Sequence, residues 1–134
     1  VKTAQIPNKA NKTDAGFDIR TPKTIAIGPH QTVLVPTGLS VEIPEGYELQ
    51  VRSKSGIAYK LNTVVAQGTG TIDTDYRGEV GVLLWNRNSI PVEFVAGAKI
   101  AQFVVGKVYE TEFVEVEELS DTDRGEGGFG STGQ

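Results

Sequence analysis

Three stretches of this 134-residue chain collect groups suited to a polyanion, and the most unusual is the last. Arg124-Gly125-Glu126-Gly127-Gly128-Phe129-Gly130-Ser131-Thr132-Gly133 holds five glycines in ten residues and has no hydrophobic period. Glycine lets backbone N–H groups approach oxygens closely, Ser131 and Thr132 add hydroxyl donors, and Arg124 brings a guanidinium fork matched to phosphate. Phe129 offers a flat apolar face for a ring to stack on. These are the parts of a triphosphate clamp, although a plain disordered terminus has the same composition. Ordering so many glycines costs much backbone entropy, so the segment is expected to be mobile until something orders it.

The second stretch is Gly70-Thr71-Ile72-Asp73-Thr74-Asp75-Tyr76-Arg77-Gly78-Glu79. In an extended backbone Asp73 and Asp75 would point the same way, as a base and its partner; a polar hairpin turn with an ordinary ion pair fits equally well. The third, Arg52-Ser53-Lys54-Ser55-Gly56, carries donors and no acid, and reads either as an anion site or as a basic turn. Between Tyr109 and Asp121 lie six acids and no base. Glu110 and Glu112 alternate as in a strand, and the parity changes at Glu115 and Glu117, which predicts a bend or bulge and no catalysis.

Other chemistries are excluded. Cysteine is absent, so disulfides, zinc fingers, iron–sulfur clusters and thiol nucleophiles are out. The one histidine, His30, sits in the turn-like Gly28-Pro29-His30-Gln31 and reads as a solvated loop residue. Thirteen basic against seventeen acidic residues give a net charge of −4, against a non-specific nucleic-acid or membrane-surface binder, so any anion site is local. No apolar run reaches the roughly 20 residues that cross a bilayer, and the opening lacks the apolar stretch of a signal peptide, which predicts a soluble cytoplasmic protein.

The elements that must position these groups are strands. Sixteen Val, nine Ile and thirteen Thr outnumber seven Leu and nine Ala, and β-branched side chains suit pleated surfaces. Strands are expected at Thr24–Ile27, Thr32–Val35, Leu39–Ile43, Tyr47–Arg52, Thr63–Val65, Glu79–Trp85, Val92–Val95 and Lys99–Val108, a spacing that suggests one sandwich or barrel domain. Two of them, around Val82-Leu83-Leu84-Trp85 and Ile100 to Val105, are apolar on both faces. Either a second buried surface such as a subunit contact covers them, or curled strands place both faces in one core.

Taken in order, five segments resemble the motifs of the trimeric deoxyuridine triphosphate nucleotidohydrolases, the dUTPases: Ala15-Gly16-Phe17-Asp18-Ile19, Arg52 to Ala58, Gly70 to Glu79, Lys99-Ile100-Ala101-Gln102-Phe103, and Arg124 to Gly133. The resemblance implies a jelly-roll-like β subunit, residues 1–119, with a flexible arm, residues 120–134, in a homotrimer whose active sites are shared between chains. The 15 residues after Leu119 could span up to roughly 50 Å, far enough to reach a neighbour. The implied partner is dUTP, with no nucleic acid and no membrane, and the implied reaction is its hydrolysis to dUMP and pyrophosphate by water attack on the α-phosphorus. That limits uracil incorporation into DNA and supplies dUMP for thymidylate synthesis.

The resemblance assigns roles residue by residue. Asp73 is the base and also holds the deoxyribose 3′-hydroxyl. Lys54, Ser55, Gly56 and Gln102 meet the phosphates, and Arg124, Ser131 and Thr132 clamp the γ-phosphate. Phe129 covers the uracil, and Gly130 is a further substrate-binding residue. Tyr76 packs on the deoxyribose, and a Val64 to Gly70 hairpin, with Gln67 and Gly70, meets the uracil edge. Mg²⁺ is held mainly by the phosphates, with Asp18 touching it through water only. Lys54 stands where many relatives carry arginine, and Gln67 where many carry asparagine. A dCTP deaminase-like enzyme and a nucleotide-gated interaction module on the same fold are the alternatives.

Overall fold

The β-branched runs become nine short strands and one short helix in the structure, a computed structural model that describes residues 3–130. In chain order they are β1 (Gly16–Arg20), β2 (Ile25–Ile27), β3 (Thr32–Pro36), β4 (Tyr47–Arg52), α1 (Ser55–Leu61), β5 (Thr63–Val65), β6 (Thr69–Ile72), β7 (Gly81–Asn86), β8 (Val92–Phe94) and β9 (Lys99–Lys107). All pair antiparallel, in sheets of order β1-β9-β4-β6, β3-β7-β5 and β2-β8. The last strand lies between the first and the fourth, so the chain returns across the fold in the manner of a jelly-roll-like sandwich. Ile19, Val51, Ile100 and Phe103 of the four-stranded sheet join Val35, Val65, Val82 and Leu84 of the three-stranded sheet in one buried cluster. Each such side chain contributes about 1.5–3 kcal/mol of burial.

Several elements differ from expectation for local reasons. Leu39–Ile43 alternates like a strand yet forms none, because one tie holds its start: Val80 N donates to the Leu39 carbonyl at 2.7 Å, and Thr37 donates from N and Oγ1 to the Val80 carbonyl. The segment packs its apolar side chains without a ladder partner. β1 and β6 were not foreseen, since Gly16, Asp18 and Gly70 interrupt their apolar pattern. Nor was α1, whose seven residues are too few to display a helical period; it opens where Ala58 N donates to the Lys54 carbonyl at 2.9 Å and stops at Asn62, which is left-handed. The acidic run forms no strand, only a bend at Glu117 and Glu118.

The doubly apolar strands settle one question. On β7, Val82 and Leu84 are buried while Leu83 is half-buried and Trp85 is 37% exposed. Register places Leu34, 61% exposed, opposite Leu83, and Val64 opposite Trp85, so the outward face of this sheet is apolar and open to solvent. Val105 on β9 is exposed as well. On β7 the second face is therefore not curled into the core of the single chain, whereas on β9 Ile100, Ala101 and Phe103 are all buried, so both faces of that strand reach the core before Val105.

Candidate active site

β6 pairs with β4, Gly70 opposite Val51 and Ile72 opposite Leu49, and the chain then turns, Tyr76 N donating to the Asp73 carbonyl at 3.2 Å. Asp73 and Asp75 therefore do not alternate along an extended segment. Beside this turn opens a cleft of about 570 Å³, lined by Gln67, Gly70, Asp73 and Tyr76, and by Leu34, Pro36 and Gly81 from the edge of the apolar sheet. Asp73 is exposed, and its carboxylate has no hydrogen bond or ion pair among the described residues. The Tyr76 ring is fixed from behind. Its hydroxyl donates to the Glu79 carbonyl at 2.8 Å, and a Cβ at Gly78 would stand 2.5 Å from that hydroxyl oxygen. The ion pair of this loop runs from Arg77 to Glu42 at 3.7 Å, between exposed side chains, and leaves both aspartates aside.

The expected Val64 to Gly70 hairpin is a crossover. β5 pairs with β7 and β6 with β4, so the turn between them passes from one sheet to the other. Gly68 takes φ +81, which glycine adopts without strain, and its N–H returns to the Val65 carbonyl at 3.0 Å. The exposed Gln67 amide lies beside Gly70, where a Cβ would meet Gln67 Nε2 and Val51 Cβ at 3.2 Å each.

A second group assembles on the other side of β4. Asp18 of β1, Gln102 of β9, Arg52 of β4 and Thr69 of β6 stand directly opposite one another and share one sheet face. Asp18 is buried, and both its oxygens are taken: Lys54 Nζ lies 2.5 Å from Oδ1 and Lys99 Nζ 3.1 Å from Oδ2. Burial alone would push its carboxyl up; hydrogen bonds from Lys54 and Lys99, together with their charges, outweigh that and hold it below the ordinary aspartate value. Gln102 Nε2 donates to the Ser53 carbonyl at 3.0 Å, and Gly16 leaves it room, since a Cβ there would fall 2.0 Å from Gln102 Oε1. Ser53 Oγ accepts from Val65 N at 2.8 Å. Ser55 and Gly56 follow, exposed at the start of α1.

No cluster of three or more His, Asp or Glu side chains able to cage a metal exists among the described residues. Asp18, the expected water-mediated contact of Mg²⁺, turns an ammonium-capped carboxylate to any cation, which is a poor fit for a divalent ion.

The third group is the tail. Val108 N donates to the Gly46 carbonyl at 2.8 Å, and beyond it residues 109–130 hold no helix or strand and are exposed except for the half-buried Gly127 and Gly128. Arg124 Nε donates to the Gly127 carbonyl at 2.6 Å, so its guanidinium curls onto its own segment. Phe129 and Gly130 are exposed, and Ser131 and Thr132 lie outside the described residues. Within one chain the foreseen residues thus fall in three places: Gln67, Gly70, Asp73 and Tyr76 at the cleft; Asp18, Lys54 and Gln102, with Ser55 and Gly56 adjacent; and the tail. None of the second group and none of the described tail residues lines the cleft. Sequence reasoning overlooked Gly16, Ser53 and Gly78 as supports, and Lys99 as the second partner of Asp18. Strand parity hid Lys99: it lies three residues from Gln102, which would put it on the other face, and only the bulge between Ile19 and Arg20 brings it to the same carboxylate.

Comparison with known proteins gives the family. A family model described as dUTPase matches residues 2–133. The deoxyuridine 5′-triphosphate nucleotidohydrolase of Picosynechococcus is 47% identical over 130 residues, covering 97% of this chain and 92% of that protein. That of Chlamydia trachomatis is 49% identical over 134 residues, covering 98% and 92%. The dUTPase of Staphylococcus bacteriophage 80alpha, solved with dUpNHpp, superposes with a TM-score of 0.91 at 31% identity, over 100% of this chain and 95% of that one. A dUTPase variant of phage phi11, described with a structural Mg(II) ion, gives 0.80 at 28% identity over 88% and 93%. With a family match across almost its whole length and relatives nearly half identical to it, this chain belongs to the dUTPase family.

Proposed function

We propose that the protein is a dUTP diphosphatase, hydrolysing dUTP to dUMP and pyrophosphate. The observation that carries the reading is the Asp73 carboxylate, exposed and free of protein partners in a cleft beside a fixed tyrosine ring, in a chain of the dUTPase family. Water held by Asp73 attacks the α-phosphorus, the carboxylate takes its proton, and the α,β-bridging oxygen leaves with pyrophosphate in line. Positioning and charge neutralisation, rather than a covalent intermediate, supply most of the rate. Mg²⁺, held by the phosphates of the substrate, would supply neutralisation of their negative charge, and no side chain of this chain is assigned as its direct ligand. Lys54, Ser55, Gly56 and Gln102 receive the phosphates, while Arg124, Ser131 and Thr132 close on the γ-phosphate and Phe129 covers the base. Tyr76 leaves no space for a 2′-hydroxyl, and the turn around Gln67 and Gly70 meets the uracil edge.

The functional unit in this reading is a homotrimer with shared sites. Two observations support it: the residues of one reaction lie in three separate places on one chain, and the cleft opens at Leu34 onto the uncovered apolar face of the β3-β7-β5 sheet. A partner covering that face would wall the cleft, and its arm, residues 120–134, would supply the clamp. No helix among the described residues is long and apolar enough to cross a membrane; a cytoplasmic location is part of the proposal. Pyrophosphate release measured across dUTP, dTTP, dCTP and UTP, with and without Mg²⁺, tests the assignment. Release from dUTP alone among the four, stimulated by Mg²⁺, is expected; ammonia from dCTP would overturn it in favour of a deaminase.

A further inference from the structure

We infer that Asp18 is a positioning residue that aims Lys54 at the substrate phosphates, and is not a contact of the metal; this rests on the dUTP hydrolysis proposed above. Lys54 is pinned along its whole length. Its carbonyl accepts the first helical bond of α1, from Ala58 N, and its backbone is extended at φ −95 and ψ 132. The preceding residue, Ser53, is tied twice, by Gln102 Nε2 on its carbonyl and by Val65 N on its hydroxyl. The remaining freedom is in four methylenes and an ammonium, and Asp18 Oδ1 removes it at 2.5 Å. A lysine, unlike an arginine, has no planar fork to orient itself on phosphate, so an anchor on its point charge does that work. One of its three N–H donors goes to Asp18, and two stay available to phosphate oxygens.

The same geometry disfavours Asp18 as a metal contact. Lys99 Nζ holds Oδ2 at 3.1 Å, so each oxygen already accepts an ammonium and the trio carries a net positive charge. The lysine side chains are partly exposed, 26% for Lys54 and 41% for Lys99, while the Asp18 side chain is 8% exposed. A triphosphate is attracted to that arrangement, and a hydrated divalent cation is repelled by it.

The test is a double-mutant cycle with two readouts, dUTP turnover and Mn²⁺ affinity of the complex with α,β-imido-dUTP, followed by electron paramagnetic resonance. Asp18→Asn and Lys54→Met should each lower kcat/KM by about tenfold or more. The double variant should be no worse than Lys54→Met, and Asp18→Asn should leave Mn²⁺ affinity in the analogue complex within about twofold of wild type. Additive losses, or Mn²⁺ binding weakened about tenfold by Asp18→Asn, would overturn the inference. Should Asp18→Asn fail to fold, Lys54→Met decides alone: near-normal turnover in that variant contradicts a role exerted through Lys54. An inactive wild type would instead refute the hydrolase reading, so the two failures are distinguishable.

Discussion

Asp18 and Asp73 are carboxylates of one chain in opposite surroundings. Asp18 is buried and has an ammonium on each oxygen; Asp73 is exposed at the cleft, in a turn that satisfies the backbone and leaves its side chain without a protein partner among the described residues. A carboxylate with both oxygens engaged by protein cations organises its neighbours and is a weak base. One with its lone pairs unclaimed is available to a water and a sugar hydroxyl. In the proposed reaction the difference separates the scaffold of the site from its reagent, and it was invisible to residue type.

The contrast can be broken at several points. Asp73→Asn keeps the shape of the turn and removes the base, so turnover of dUTP should fall about 10³-fold while binding of a non-hydrolysable analogue, measured by calorimetry, changes little. Normal turnover in that variant would erase the distinction between the two aspartates. Deleting the chain from Arg124 onward removes several phosphate donors and should cost about 10²-fold in turnover without altering the melting temperature or the oligomer seen by sedimentation. Gly78→Ala places a Cβ 2.5 Å from the Tyr76 hydroxyl oxygen and pushes the ring off the Glu79 carbonyl. Discrimination of dUTP against UTP, taken as the ratio of kcat/KM values, should then drop by up to about tenfold.

The smallest effect is on stability. Because the native pKa of Asp18 lies below 3.8, the unfolded chain binds a proton that the native state refuses in that window. The stabilising contribution is complete above the ordinary aspartate range and disappears as pH falls through the lowered native value. Denaturant unfolding at stepped acidic pH should show this slope in wild type and a flatter one in Asp18→Asn.

Much of this was legible in the sequence. The β-branched runs marked seven strands within a residue or two, since side-chain stiffness and alternation act locally. β1 and β6 stayed hidden because they carry the residues of the site: Gly16 makes room for Gln102, Gly70 for the turn at Gln67, and Asp18 replaces an apolar residue on a strand. Function there overrides the pattern that announces a strand. Leu39–Ile43 failed for the opposite reason, an apolar alternation with no ladder partner, a property of tertiary arrangement alone. The site residues were visible as types, yet Lys99 as a partner of Asp18 required a β-bulge, and the distribution of the site over three places required the fold.

The central claim is that cleft and tail of one active site come from different chains. Co-expressing the Asp73→Asn chain with a chain lacking residues 124–134, each inactive alone, and measuring pyrophosphate release from the purified mixture tests it directly. A tail acting on its neighbour predicts recovery of about a quarter of the wild-type activity per site, the fraction of randomly mixed sites that join an intact cleft to an intact tail. Mixed assemblies as inactive as their parents would contradict the claim.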